Sequence, residues 1–152
     1  MLDHISHVEK FPLSMLDLGT GTGILAIAGA LLGIPLIIAC DNDEDAIENC
    51  RENLELNGMS DRISLHAKPL IEMTGQYHLV TANLLTHLLC ENVGKLRSLT
   101  CPGGVLLLSG ILTEDRERIK EAFDGKGFRI IAEKRCDEWL GISLVRAQPI
   151  SP

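Results

Sequence analysis

Met15-Leu16-Asp17-Leu18-Gly19-Thr20-Gly21-Thr22-Gly23-Ile24-Leu25-Ala26-Ile27-Ala28 is the stretch around which the rest of the chain is read. A short apolar run carries one acidic residue, three glycines then alternate with threonines, and an apolar helical pattern follows. This reads as a strand, a tight turn and the start of a helix. Glycine has no Cβ, so the turn can take positive φ and a ligand can lie directly against its backbone. The helix behind it offers unpaired N–H groups and the positive end of its dipole. The turn is therefore expected to hold a cofactor.

Outward from this turn, β-rich and helical patterns alternate. Strands are expected at residues 13–18, 34–40 (ending at Asp41), 62–66, 77–82 (ending at Asn83) and 105–109, the last continuous, aliphatic and hence central. The helix at 24–32 is apolar on nearly every face and is expected to be well buried, with Gly33 as its stop. Asp43 suits the N-cap of a helix running to about Asn57, with Glu44 and Asp45 in the favoured first turn. Residues 67–75 read as an irregular connection and 84–99 as helical, followed by a turn at Pro102-Gly103-Gly104. Thr113 is expected to cap a charged amphipathic helix over 114–124. Two closing strands, 128–135 and 139–146, meet in a tight link at Asp137-Glu138 and form an antiparallel hairpin. Residues 1–11 have the character of the last turns of a helix, where His4 and His7 read as a solvated face rather than a metal site. The sum is an α/β, doubly wound, mostly parallel seven-stranded sheet with an antiparallel terminal strand, a Rossmann-like arrangement.

The chain has 152 residues, which predicts one domain over 1–152. Hydrophobic residues make up 45% but aromatic residues only 3%, so the core must be aliphatic, as suits a parallel sheet covered by helices. The net charge of −7 argues against direct nucleic-acid binding, which needs a basic face. Five cysteines (Cys40, Cys50, Cys90, Cys101 and Cys136) form no C-x-x-C pair and read as reduced thiols, and with no apolar run of membrane-spanning length a cytoplasmic protein is expected.

The ligand follows from the spacing. A dinucleotide fingerprint is G-x-G-x-x-G, whereas Gly19, Gly21 and Gly23 read G-x-G-x-G, with Ile24 where the third fingerprint glycine belongs. The Asp17 carboxylate before the first glycine opposes a pyrophosphate and suits a cationic amine. Asp41, at the end of the second strand, is placed to accept both hydroxyls of a ribose. Its other reading, a turn cap, is already filled by Asp43. A ligand with an ammonium group and a ribose, and without a pyrophosphate, is S-adenosylmethionine, and NAD(P) is disfavoured.

These residues resemble the first motif of class I S-adenosylmethionine-dependent methyltransferases. The narrower resemblance is to the catalytic domain of the PrmA family, methyltransferases of a large-subunit ribosomal protein. It rests on Cys40-Asp41-Asn42-Asp43 with Glu52-Asn53-Leu54-Glu55-Leu56-Asn57-Gly58, on Thr81-Ala82-Asn83-Leu84-Leu85, and on Pro102-Gly103-Gly104 through Ser109-Gly110-Ile111-Leu112. Larger members carry an N-terminal substrate-recruiting domain and a threonine-rich loop, neither of which is expected in the fourteen residues before Met15.

The resemblance implies N-methylation of a protein amine. It implies that Gly19 and Gly21 line the methionine portion, with Gly23 also cofactor-binding, while Asp17 holds the loop or meets the amine. Thr20 and Thr22 bond the carboxylate or merely satisfy the turn. Asp41 binds the ribose, Asn42 lies beside the adenine, and Ala67 and Lys68 border the adenine pocket. Asn83 is the candidate catalytic residue, placing the acceptor nitrogen or the cofactor. Thr86 and His87 follow it toward the acceptor, with a surface role the commoner fate of such a histidine, and Trp139 is expected to pack the last strand rather than line the substrate mouth. The partner is a ribosomal-type protein or a small molecule, with a partner subunit or a homo-oligomer also open. The alternatives are a binding module without activity of its own and a small-molecule methyltransferase.

Overall fold

The computed structural model describes residues 11–148, so the expectations for His4, His7 and the helix end before Phe11 lie outside the described residues. β1 (Ser14–Leu18) is buried along its whole length because it lies in the middle of the sheet. α1 (Ile24–Leu31) returns the chain to β2 (Leu36–Asp41), and α2 (Glu44–Leu56) leads to β3 (Ile63–Ala67). β4 (Tyr77–Asn83), α3 (Thr86–Glu91), α4 (Val93–Leu99), β5 (Thr100–Leu112), α5 (Arg116–Phe123), β6 (Phe128–Cys136) and β7 (Trp139–Arg146) complete the order.

Among the described residues seven strands lie in the order β3-β2-β1-β4-β5-β7-β6. β1 to β5 pair in parallel, and β7 inserts antiparallel between β5 and β6, so the reversed strand predicted at the chain's end sits inside the sheet rather than at its edge. Alternation along the strands splits the core into two layers. Leu16, Leu18, Val80, Leu106 and Leu108 form one with Leu89, Leu96 and Ile119 of α3, α4 and α5. Met15, Ile37, Leu79 and Leu107 form the other with Ala26 and Ala30 of α1 and Cys50 and Leu54 of α2. Among the described residues no helix is long and apolar enough to cross a membrane.

Four local expectations need correction. α1 is not buried all round: Ala26, Gly29 and Ala30 face the sheet, while Ile24 and Leu31 remain 68% and 70% exposed. The helix lies so close that a Cβ on Gly29 would stand 2.5 Å from the Met15 sulfur, so the smallest side chains take the inner face. The run at 84–99 is two helices, parted at Asn92, whose side-chain amide donates to the Leu88 carbonyl at 2.8 Å. β5 begins well before Val105. The pairing with β4 jumps from Thr100 opposite Tyr77 to Val105 opposite Leu79, so Pro102-Gly103-Gly104 is a bulge within the strand and not a turn before it. Thr113 caps no helix: its hydroxyl and its N–H both donate to the Glu138 carbonyl, at 2.9 Å and 2.8 Å, and tie the end of β5 to the β6–β7 turn.

Parallel strands running outward from β1 on both sides create a switch point between β1 and β4. The carboxyl ends of β1, β2 and β4 therefore open onto a common crevice, the place where ligands bind in open α/β sheets.

Candidate active site

The glycine loop leaves β1 at this switch point. Gly19, Gly21 and Gly23 all have positive φ (64°, 55° and 80°), a conformation that costs L-residues with side chains roughly 1–2 kcal/mol each. The Thr20 N–H donates to the Cys40 carbonyl at 3.0 Å, and the Gly23 N–H donates to the Thr20 carbonyl at 2.9 Å.

Beneath the loop lies Asp17, 1% exposed. One of its carboxylate oxygens accepts the Thr20 hydroxyl at 2.7 Å and the other accepts the Thr81 hydroxyl at 2.6 Å. Of the two roles implied for Asp17, this geometry provides the brace of the loop. Thr20, buried beside it, serves the turn in the same way. The sequence reading places Thr81 only within the 81–85 run and gives it no role of its own. A polar residue at an inward position of an aliphatic strand was the signal that it has a buried partner.

Burial raises the Asp17 carboxyl above its ordinary value of 3.8, opposed by the hydroxyls of Thr81 and Thr20 and aided by nearby Asp41. The folded chain thus holds this proton to higher pH than the unfolded chain does, and Asp17 contributes less stability as pH rises above 3.8. Replacement by asparagine removes that dependence. The difference in Tm between the parent and Asp17→Asn is expected to shift against the parent as pH is raised from 3.8 toward neutrality. A pH-independent difference would contradict the raised carboxyl.

Asp41, half-buried, joins the loop to α2. One of its oxygens accepts the Gly21 N–H at 3.0 Å and the other the Asp43 N–H at 3.1 Å, which leaves each oxygen a further lone pair. Asp43 in turn caps α2 by accepting the Asp45 N–H at 3.0 Å. A Cβ on Gly21 would meet nothing within 4 Å, so its backbone faces open space. Gly23 is closed in instead, since a Cβ there would lie 2.7 Å from the Cys50 sulfur on α2. Thr22 is exposed, and Gly23, at the N-cap of α1, brings no side chain to the first turn, where the Ala26 N–H is met by the Asp17 carboxylate. Asn42, Ala67 and Lys68 are exposed along the same edge, Ala67 opposite Asp41 in the β2–β3 register.

On the other side of the switch point, Asn83 ends β4 opposite Ser109 and lines a cavity of about 700 Å³ with Leu84, Leu85, Leu88, Trp139 and Leu140. Leu84 belongs to both halves of the site: it lines the cavity, and its Cδ2 stands 2.4 Å from where a Cβ on Gly19 would be. Trp139 is 50% exposed in the cavity wall, which corrects the packing role expected for it. It is the first residue of β7, whose insertion beside β5 brings it to the carboxyl edge opposite Leu112. Thr86 does not face the cavity. It is buried and donates its hydroxyl to Asp115 at 2.8 Å. His87 is exposed and outside the cavity lining.

Residues 1–147 match the family described as ribosomal protein L11 methyltransferase (PrmA). The ribosomal protein L11 methyltransferase of Geobacter sp. (strain M21) is 41% identical over 138 residues, covering 91% of this chain and 44% of that protein. The chain thus spans less than half the length of the curated relatives it matches. The crystal structure of a ribosomal protein L11 methylase from Lactobacillus delbrueckii subsp. bulgaricus superposes with a TM-score of 0.89 at 30% identity, over 97% of this chain and 76% of that one. Magnesium protoporphyrin IX methyltransferase from Synechocystis PCC 6803, solved with bound SAM, shares the fold at a TM-score of 0.74 and 20% identity, over 89% of this chain and 70% of that one. The chain belongs to the ribosomal protein L11 methyltransferase (PrmA) family.

Proposed function

We propose that this chain is a single S-adenosylmethionine-binding domain that methylates a protein amine, with ribosomal protein L11, the substrate named for its relatives, as the first acceptor to test. The observation that carries the reading is the shared wall at Leu84, which sets the Gly19–Gly23 loop against the cavity at Asn83. The residues present fit the cofactor: open backbone at Gly21, and spare lone pairs on Asp41 for a ribose diol.

The cofactor, when bound, supplies a methyl group already activated on a sulfonium. What is left to the protein is alignment and exclusion of water, which supply large rate factors in displacement chemistry. Gly21 holds the methionine portion of the ligand and Asp41 its ribose. The apolar walls at Leu84, Leu85, Leu88 and Trp139 disfavour an ammonium and so favour the neutral amine, whose lone pair is the nucleophile. The Asn83 side-chain oxygen accepts an N–H of that amine and turns the lone pair toward the Gly19 side. The acceptor's proton leaves toward the open mouth of the cavity.

Calorimetry with S-adenosylhomocysteine and transfer of a labelled methyl group to purified L11 test the two halves of the reading. The expected results are binding at one site and label on an amine of L11. Binding without label in any protein would reduce the domain to a cofactor-binding module, and no binding would remove the reading altogether.

A further inference from the structure

A loop with glycine at every second position has unusual backbone freedom, so it keeps one shape only where polar groups hold it. Two holds have been described, Asp17 acting through Thr20 from β1 and Asp41 acting on Gly21 from β2. A third comes from a helix. The Asn53 side-chain amide of α2 donates to the Thr22 carbonyl at 2.9 Å, across 31 residues of sequence. The next N–H of the loop, that of Gly23, is already bound to Thr20 at 2.9 Å. The peptide between Thr22 and Gly23 is therefore held at both its carbonyl and its N–H. One turn earlier on α2, Cys50 presses against Gly23 so closely that no Cβ would fit. The same helix starts at the Asp43 cap, whose N–H braces Asp41. α2 thus reaches both ends of the cleft, the glycine loop through Asn53 and Cys50, and the β2 carboxylate through Asp43.

We propose that Asn53 is a positioning residue for the cofactor: it fixes the Thr22–Gly23 peptide, and with it the open face of Gly21 and the first turn of α1. Asn53 acts through the loop and makes no contact with the ligand itself. This rests on the cofactor reading above. Loss of the amide lets the peptide rotate among the conformations that glycine allows, and ligand binding must then order it again. The consequence is weaker cofactor binding with an unaltered chemical step once the cofactor is bound.

The test uses the full chain, with S-adenosylhomocysteine as the probe for calorimetry and labelled S-adenosylmethionine for kinetics. Asn53→Asp keeps the side chain's size but places an acceptor against the Thr22 carbonyl. Asn53→Ala simply removes the donor at a partly exposed helical position, where alanine favours the helix and the fold is retained. Both variants are expected to raise the Kd and the cofactor KM about tenfold, the effect of one lost hydrogen bond, with kcat at saturation within about twofold of the parent. Asn57→Ala is the control. It deletes the bond from the Asn57 amide to the Asn53 carbonyl at 2.8 Å on the same helix and leaves the loop untouched. It is expected to lower Tm without changing the Kd, which separates positioning from general support of α2. An unchanged Kd in both Asn53 variants overturns the inference while the parent's binding upholds the cofactor reading. A parent that binds no S-adenosylhomocysteine overturns both.

Discussion

Replacing Gly110 with alanine is expected to lower methyl transfer by about two orders of magnitude while cofactor affinity stays within about twofold of the parent. Gly110 follows Ser109, the residue opposite Asn83 across β4 and β5, and has φ +75°. A Cβ there would lie 2.8 Å from the Asn83 side-chain oxygen and 3.1 Å from the Leu84 carbonyl. The Leu84 carbonyl is backbone and cannot swing aside, so the Asn83 amide has to move or β5 has to bend. Either response displaces the group that orients the acceptor nitrogen, and a misplacement of about 1 Å is enough for a hundredfold loss. The strained φ adds a stability cost of about 1–2 kcal/mol, which leaves the sheet intact. The measurements are kcat/KM for L11, calorimetric Kd for S-adenosylhomocysteine, and Tm. A folded variant with parental transfer would show that Asn83 does not place the acceptor.

Asp41→Ala is expected to act on the opposite half of the site and weaken cofactor binding about a hundredfold. Two contributions add. The Gly21 and Asp43 N–H groups lose the carboxylate that accepts them at 3.0 Å and 3.1 Å, so the loop and the start of α2 both loosen. The ribose hydroxyls lose their acceptor as well. Hydrogen bonds to a charged group are worth about 1.5–3 kcal/mol each, and about 1.4 kcal/mol is a factor of ten in Kd. Asp41→Asn keeps one acceptor oxygen and is expected to fall between, near tenfold. The readout is calorimetry with S-adenosylhomocysteine, with circular dichroism as the check on folding. Parental affinity in a folded Asp41→Ala would remove Asp41 from the ribose site and leave it a purely structural brace.

The two substitutions separate the halves of the site because the fold separates them. Asp41 stands at the end of β2 and Gly110 near the end of β5, with β1 and β4 between. Leu84 borders both the glycine loop and the cavity.

Much of this was legible in the chain itself. The aliphatic strands, the Asp43 cap and the Gly19–Gly23 turn depend on residues within a few positions of one another. Local backbone preference and the period of the hydrophobic pattern therefore carry them. The parallel pairing follows from the short crossovers, but the place of β7 between β5 and β6 is a long-range choice that the local pattern does not carry. The errors came where distant neighbours intervene. α1 looked buried on every face because its sequence is apolar, yet the sheet admits only its small residues, and Gly29 against Met15 sets that distance. Thr113 has the chemistry of a cap, but the Glu138 carbonyl of the hairpin turn takes its hydroxyl first.

The same division runs through the site. From residue types and spacing alone came the parallel sheet, the glycine cradle and the acidic residue at the end of β2. Which lone pairs of Asp17 are already taken, by Thr20 three residues away and by Thr81 sixty-four residues away, became visible only once β1 and β4 lay side by side. The same holds for Asn53 on Thr22, Gly110 under Asn83 and Trp139 in the cavity wall. A turn is specified by the torsional freedom of its own residues, whereas an open face or a filled hydrogen bond belongs to a pair of groups, and the fold chooses the partner.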